Sequence, residues 1–146
     1  MERVVLDSST WVRGAISKTG AAGYIIQAWR DGRLDAVVSR EILAETYEVL
    51  QRPHIQKKYH LSHVQKRRVI IVMAKYCLLV RPTETISVIM ADPDDNAILA
   101  AALAGNVRFI ITGDHHLLSL GQYRDIGIVT PDQYAHFLRK QFVQGR

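Results

Sequence analysis

The stretch DPDDNAILAAALAGNVRFIITGD, Asp92 to Asp114, decides how the chain is read. Asp92 stands as an N-cap and Pro93 takes the first helical position. Asp94 and Asp95 follow in the first turn, where the helix dipole favours negative charge. A helix is predicted over Asp92–Leu103, then a strand in VRFIITGD that ends on a glycine and an acid. A helix feeding a short apolar strand is the building unit of parallel sheets.

The unit recurs on both sides. Toward the C-terminus, HHLLSL reads as a short helical turn, IGIV as a strand and TPDQYAHFLRKQF as a helix capped by Thr130, with Pro131 and Gln133 behind it. Toward the N-terminus, RPTETISVIM (81–90) reads as a loop with some extended structure and CLLV as a strand. LSHVQKRRVIIVMAKY reads as a helix with the capping box Ser62–Gln65. SREILAETYEVLQRP is a helix that starts on Ser39 and ends before Pro53, LDAVVS a strand, and AAGYIIQAWRDG a helix stopped at Gly32. RVVLD opens the chain as a strand that ends on Asp7, with a loop after it. The pattern predicts one α/β domain over residues 1–146: a three-layer α/β/α sandwich around a central, mainly parallel sheet.

Bulk composition agrees with this and narrows the partners. With 48% hydrophobic and 23% charged residues the chain has the balance of a globular domain, and no apolar run has the length of a membrane span. The opening MERVVLDSS reads as a strand rather than a secretory signal, and the lone cysteine, Cys77, excludes an internal disulfide and fits a reducing cytoplasm. The net charge is +5, unevenly spread. Between Glu48 and Glu84 there is no acid, while Arg52, Lys57, Lys58, Lys66, Arg67, Arg68, Lys75 and Arg81 all fall there. Such a segment suits a polyanion such as nucleic acid, or is simply a solvated helix face.

Against that background the acids stand out. In a parallel sheet the carboxyl ends of the strands form the ligand-binding edge. Asp7 and Asp114 end strands there, Asp95 lies in the first turn of a helix that starts there, and Glu45 sits in the first half of the helix leaving the second strand. Capping alone accounts for Asp92 and Asp94, less well for Asp95. Four carboxylates arriving from separate segments would repel one another unless a hard cation joined them, and Mg²⁺ or Mn²⁺ fits that ligand set. His115 and His116 lack a second ligand pair at zinc spacing and read as a polar turn surface.

The ordered set VVLDSSTWV, SREILAETYEVLQRP, DPDDNAILAAALAG and FIITGDHHLLSL, with the tail GIVTPDQYAHFL, resembles the PIN-domain nucleases, in particular their bacterial and archaeal VapC-like branch of toxin components of toxin–antitoxin systems. The resemblance implies metal-dependent hydrolysis of a phosphodiester, in RNA, by an endoribonuclease. It places Asp7, Glu45, Asp95 and Asp114 at the four catalytic acids, with Asp7, Asp95, Asp114 and the additional Asp92 on the metal. Ser8, Ser9, Thr112 and Asn96 are implied as supporting residues. The family usually has Asp-Thr-Asn after its first strand, where this chain has Asp7-Ser8-Ser9, so Ser9 replaces an amide that helps to orient the first acid. Lys57, Lys58, Lys66, Arg67 and Arg68 are then the expected phosphate contacts. The resemblance further implies an antitoxin partner and a homodimer; Trp11, Trp29, Tyr24 and Tyr59 serve either an interface or the core.

Rival readings use fewer of these residues. A catalytically weak or inactive PIN-fold module that only binds nucleic acid is the alternative that Ser9 favours and the retention of all four acids opposes. A phospho-acceptor receiver domain would need a lysine after a late strand, and a dehalogenase-like phosphatase a second aspartate at position 9; neither is present. Nor is there a glycine-rich phosphate loop.

Overall fold

A computed structural model describes residues 2–86 and 92–144. The elements in chain order are β1 (Arg3–Leu6), α1 (Ser8–Ile16), α2 (Gly20–Arg30), β2 (Asp35–Val38), α3 (Arg40–Leu50), α4 (Pro53–Tyr59), α5 (His63–Tyr76), β3 (Leu78–Leu79), α6 (Pro93–Ala104), β4 (Phe109–Ile111), α7 (His115–Leu118), β5 (Gln122–Tyr123), β6 (Ile126–Val129) and α8 (Pro131–Gln144). The strands form one six-stranded sheet in the order β3-β2-β1-β4-β6-β5. All pairs are parallel except β5–β6, a short antiparallel edge not foreseen from the sequence.

The apolar strands explain the layering. Val4, Val5 and Leu6 are all buried, as are Ala36, Val37 and Val38, so both faces of the central strands are covered. From β1 the chain winds outward to β2 and β3, then returns through α6 to β4 on the other side of β1. Right-handed crossovers put the returning α6 on the face opposite α1 and α2. There α6 packs on β1, β2 and β4, while α2 packs on α1 and α8. Trp11 and Trp29 meet edge-to-face at 5.0 Å in the core, which settles their role as packing.

Two expectations need correction. The segment after Asp7 is helix α1 rather than a loop: Asp7 caps it, and burial of Trp11 and Val12 outweighs the weak helix propensity of Ser8-Ser9-Thr10. Pro53 does not merely end α3; it opens α4, where its missing N–H costs nothing at the first helical position. Of the stretch 81–90, residues 81–86 form no regular element and the rest lies outside the described residues.

The sheet's winding reverses between β1 and β4, which are neighbours with Val5 opposite Ile110 and Leu6 opposite Ile111. Their carboxyl ends therefore flank the crevice where such sheets bind ligands.

The α1–α2 contact is close enough to demand glycine. A methyl on Gly14 would come 2.7 Å from the Ala22 carbonyl oxygen, and one on Gly23 2.7 Å from that of Ser17. Gly14→Ala or Gly23→Ala is expected to lower stability by about 1–3 kcal/mol through overpacking. Gly113→Ala, whose methyl meets nothing within 4 Å, is expected to change it by less than about 0.5 kcal/mol. Urea unfolding of the three variants measures the difference.

Candidate active site

Asp7 follows the last residue of β1, and its backbone N–H donates to the Ile111 carbonyl at 3.2 Å, prolonging the β1–β4 pairing. Its carboxylate is held on both oxygens. Oδ1 accepts from the Thr10 N–H at 2.8 Å, capping α1, and Oδ2 accepts from the Thr112 hydroxyl. Thr112 is wholly buried, and its Oγ1 in turn accepts the Asp114 N–H at 3.0 Å. One hydroxyl thus ties the acids that follow β1 and β4, and its single proton is committed to Asp7.

The remaining acids arrive from helix ends. Asp92 caps α6, with Oδ1 accepting the Asp94 N–H at 3.0 Å, and Asp114 caps α7 through the His116 N–H at 2.8 Å. In each case capping engages Oδ1. Carboxylate oxygens of Asp92, Asp95 and Asp114 lie within 4.8 Å of one another. Asp95 is only 6% exposed, and its Oδ2 is buried with no hydrogen-bond partner. A buried carboxylate oxygen without a partner is costly and calls for an explanation; a cation between these three groups supplies one.

The electrostatics follow from the crowding. Burial, then the negative charge of Asp114 and contact with its carboxylate, then Asp92 and Glu45, push Asp95 up to about 8. Glu45, half-buried on α3, is pushed up to about 7 by burial and by Asp94, Asp92 and Asp7. The Ser8 hydroxyl is the neighbour that lowers it, yet it lies outside normal hydrogen-bond geometry. Asp94 is raised too, by burial, Asp92 and Glu48, with Arg52 acting against them.

These groups line a cleft of about 490 Å³ together with Ser8, Ser9, Arg13, Arg52, Ile98, Gly113, His115 and His116. Asp7, Glu45, Asp92, Asp95 and Asp114 are all in it; Ser9 is exposed at its wall, Thr112 holds it from below, and Asn96, one residue past Asp95, does not line it. The foreseen phosphate contacts are elsewhere. Lys57 and Lys58 are exposed on α4 and Arg67 on α5, while Arg68 borders a separate apolar groove beside Trp11 and Trp29. Lys66 requires correction: only 6% exposed, it donates to the Gln51 side-chain oxygen at 3.0 Å and joins α5 to the end of α3. Lys66 and Met73 are the buried residues of α5, with Val69, Ile70 and Val72 partly buried beside them, an inward face which the charge run conceals. The cations that do reach the cleft are Arg52, paired with Glu48 at 3.0 Å, and Arg13, which no residue-type pattern singled out. Arg13 follows Ser9 by one helical turn, a spacing that puts it on the same face.

A parallel α/β domain with a carboxylate-lined cleft at its topological switch point defines a broad class. The narrower assignment comes from comparison: the family model described as PIN domain matches residues 3–116, from β1 to the start of α7, and the chain belongs to that family. The matched stretch contains every acid of the cleft. Among solved structures, the fold is similar to VapBC2 from Rickettsia felis bound to a DNA fragment from its promoter, with a TM-score of 0.56, 9% identity, and 88% of this chain and 98% of that chain covered. It is also similar to FitAcB from Neisseria gonorrhoeae, at TM-score 0.50 and 14% identity over 88% of this chain and 97% of that one. No curated protein sequence matches the chain.

The raised carboxyls give a signed pH dependence. In the metal-free protein the folded chain keeps protons on Glu45 to about 7 and on Asp95 to about 8, whereas their ordinary values are 4.5 and 3.8. The folded state therefore binds more protons across that window, and these groups make stability fall as pH rises from about 4 to about 8. Melting in EDTA at a series of pH values is expected to show a steeper decline for the wild type than for Asp95→Asn. Mn²⁺ should flatten the wild-type slope, because a bound cation favours the ionised carboxylates. Equal slopes for the two proteins in EDTA would mean that Asp95 is not shifted.

Proposed function

We propose that the protein is a divalent-metal-dependent nuclease that hydrolyses phosphodiester bonds in RNA endonucleolytically, as the toxin of a toxin–antitoxin pair. The observation that carries the reading is the buried Asp95 Oδ2, without a hydrogen-bond partner, in a carboxylate cluster with Asp92 and Asp114 at the switch point of a PIN fold. Asp92, Asp95 and Asp114 would hold the ion, with Asp7 beside them. An all-oxygen set of this kind suits Mg²⁺ or Mn²⁺. Such an ion, when bound, lowers the pKa of a bound water and neutralises charge developing on the phosphate.

The chain's own residues do the rest. Glu45, half-buried in the cleft wall with the other acids, would take the proton of the attacking water as general base. Thr112 fixes Asp7 and the Asp114 backbone against each other, so the first and last acids move as a unit. Arg13 and Arg52 contact the backbone phosphates on either side of the scissile bond, giving affinity without base choice.

The partners follow from likeness and surface. One fold neighbour is the VapBC2 assembly, and an antitoxin bound to this chain is the partner which that likeness supports. A homodimer is supported by the exposed apolar residues Val64, Ile71 and Tyr76 of α5 and Leu78 and Leu79 of the edge strand β3. No described helix is long and apolar enough to cross a membrane; we place the protein in the cytoplasm on the reading of its single cysteine.

Purified chain is expected to cut RNA with Mg²⁺ or Mn²⁺ and to stop in EDTA. Asp95→Asn should remain folded and lose about 100-fold or more in cleavage rate. Folded wild type that binds RNA but leaves it intact in both metals would overturn the nuclease reading in favour of a nucleic-acid-binding module.

The phosphate contacts have their own test. Arg13→Gln and Arg52→Gln should each raise KM, and each should reduce the salt slope of RNA binding by about 1, with kcat little changed. Lys66→Met, which alters only a buried amine, should leave RNA binding as in the wild type. A salt slope that stays at the wild-type value in the arginine variants and drops in Lys57→Gln/Lys58→Gln would move the phosphate track to α4.

A further inference from the structure

The cleft contains a second ligand set of different chemistry. His115 and His116 form the start of α7 directly behind Asp114, and both rings are exposed in the cleft wall. The rings lie 4.1 Å apart between centroids and are tilted by 34°. Among the described residues neither ring has a hydrogen bond or ion pair of its own, and the two rings pack against each other. One ring nitrogen from each and a carboxylate oxygen of Asp114 lie within 4.8 Å of one another. Asp114 also belongs to the set with Asp92 and Asp95.

The two sets meet at Asp114 and differ in hardness. Asp92, Asp95 and Asp114 offer oxygen alone, which suits Mg²⁺ and Mn²⁺. Asp114, His115 and His116 offer two imidazole nitrogens and one oxygen, which suits Zn²⁺, Ni²⁺ and Co²⁺ and which Mg²⁺ does not seek. A three-ligand site open to the cleft leaves room for water or a substrate oxygen in the remaining position.

We propose that Asp114, His115 and His116 form a binding site for a borderline transition-metal ion of the Zn²⁺ class, next to the all-oxygen site and coupled to it through the shared Asp114. The inference rests on the nuclease reading only for the neighbouring ion; the imidazole site stands on its own ligands. Because one carboxylate serves both sites, occupation of either changes the affinity of the other, by the same factor in both directions.

The test uses the full chain with Zn²⁺ as the probe, in excess Mg²⁺, at a fixed pH of about 7.5, because metal affinity depends on pH. Zn²⁺ should shift the ring resonances of His115 and His116 in NMR spectra, well beyond any change produced by Mg²⁺ alone, and leave those of His54, His60, His63 and His136 in place. Calorimetry should show at least about a tenfold loss of Mg²⁺-resistant Zn²⁺ affinity in His115→Ala and in His116→Ala. Both side chains are exposed, so these variants should melt as the wild type does in EDTA. Asp95→Asn should keep its Zn²⁺ binding. Zn²⁺ binding that survives both histidine variants, or that disappears in Asp95→Asn, overturns the proposal. Mg²⁺-dependent cleavage persisting in that outcome would leave the nuclease reading standing, whereas loss of every divalent-metal response would sink both.

Discussion

The hydroxyl of Thr112 is the interaction on which the cleft depends. It donates to Asp7 and accepts from the Asp114 backbone, so it joins the two strand ends that the β1–β4 pairing brings together. The Thr112 side of the bond is wholly buried, and a hydrogen bond to an ionised acceptor is stronger than one between neutral groups. It also leaves Asp7 with a hydrogen bond on both oxygens, where Asp95 Oδ2 has none.

Capping and ion binding are compatible roles for these acids. Asp7, Asp92 and Asp114 each begin a helix, and each uses Oδ1 for an N–H of the following turn. The N-terminal ends of α1, α6 and α7 therefore converge on one cleft and offset part of the carboxylate repulsion with their dipoles. Asp95 is the exception. It sits inside the first turn, caps nothing and is the most buried of the set, which is why the crowding is felt most strongly there.

Opposite charge is distributed by the same geometry. The acid-free stretch from Arg52 to Arg81 spans α4 and α5, and only its first residue reaches the cleft. Its most interior member, Lys66, is spent on fixing α5 to Gln51. Arg13, from a different part of the chain, provides the second cation because α1 begins at the cleft and its residues 9 and 13 share a face. His115 and His116 enter the wall for a similar reason: α7 starts on Asp114, so the residues after the acid turn back toward it.

The sequence by itself determined the parallel α/β architecture, because apolar runs buried on both faces and separated by capped amphipathic segments have few other solutions. It also determined which acids stand at the carboxyl edge, since Asp7 and Asp114 end strands and Asp92 and Asp95 start a helix, all local signals. Helix α1 was hidden, because Ser8, Ser9 and Thr10 carry little helix propensity and only the burial of Trp11 and Val12 reveals the helix. Tertiary structure alone decided which cations face the acids, that Lys66 points inward, and that the imidazoles of His115 and His116 stand beside Asp114. Those outcomes depend on how whole helices are rotated against the sheet, a property of long-range packing that no local spacing encodes.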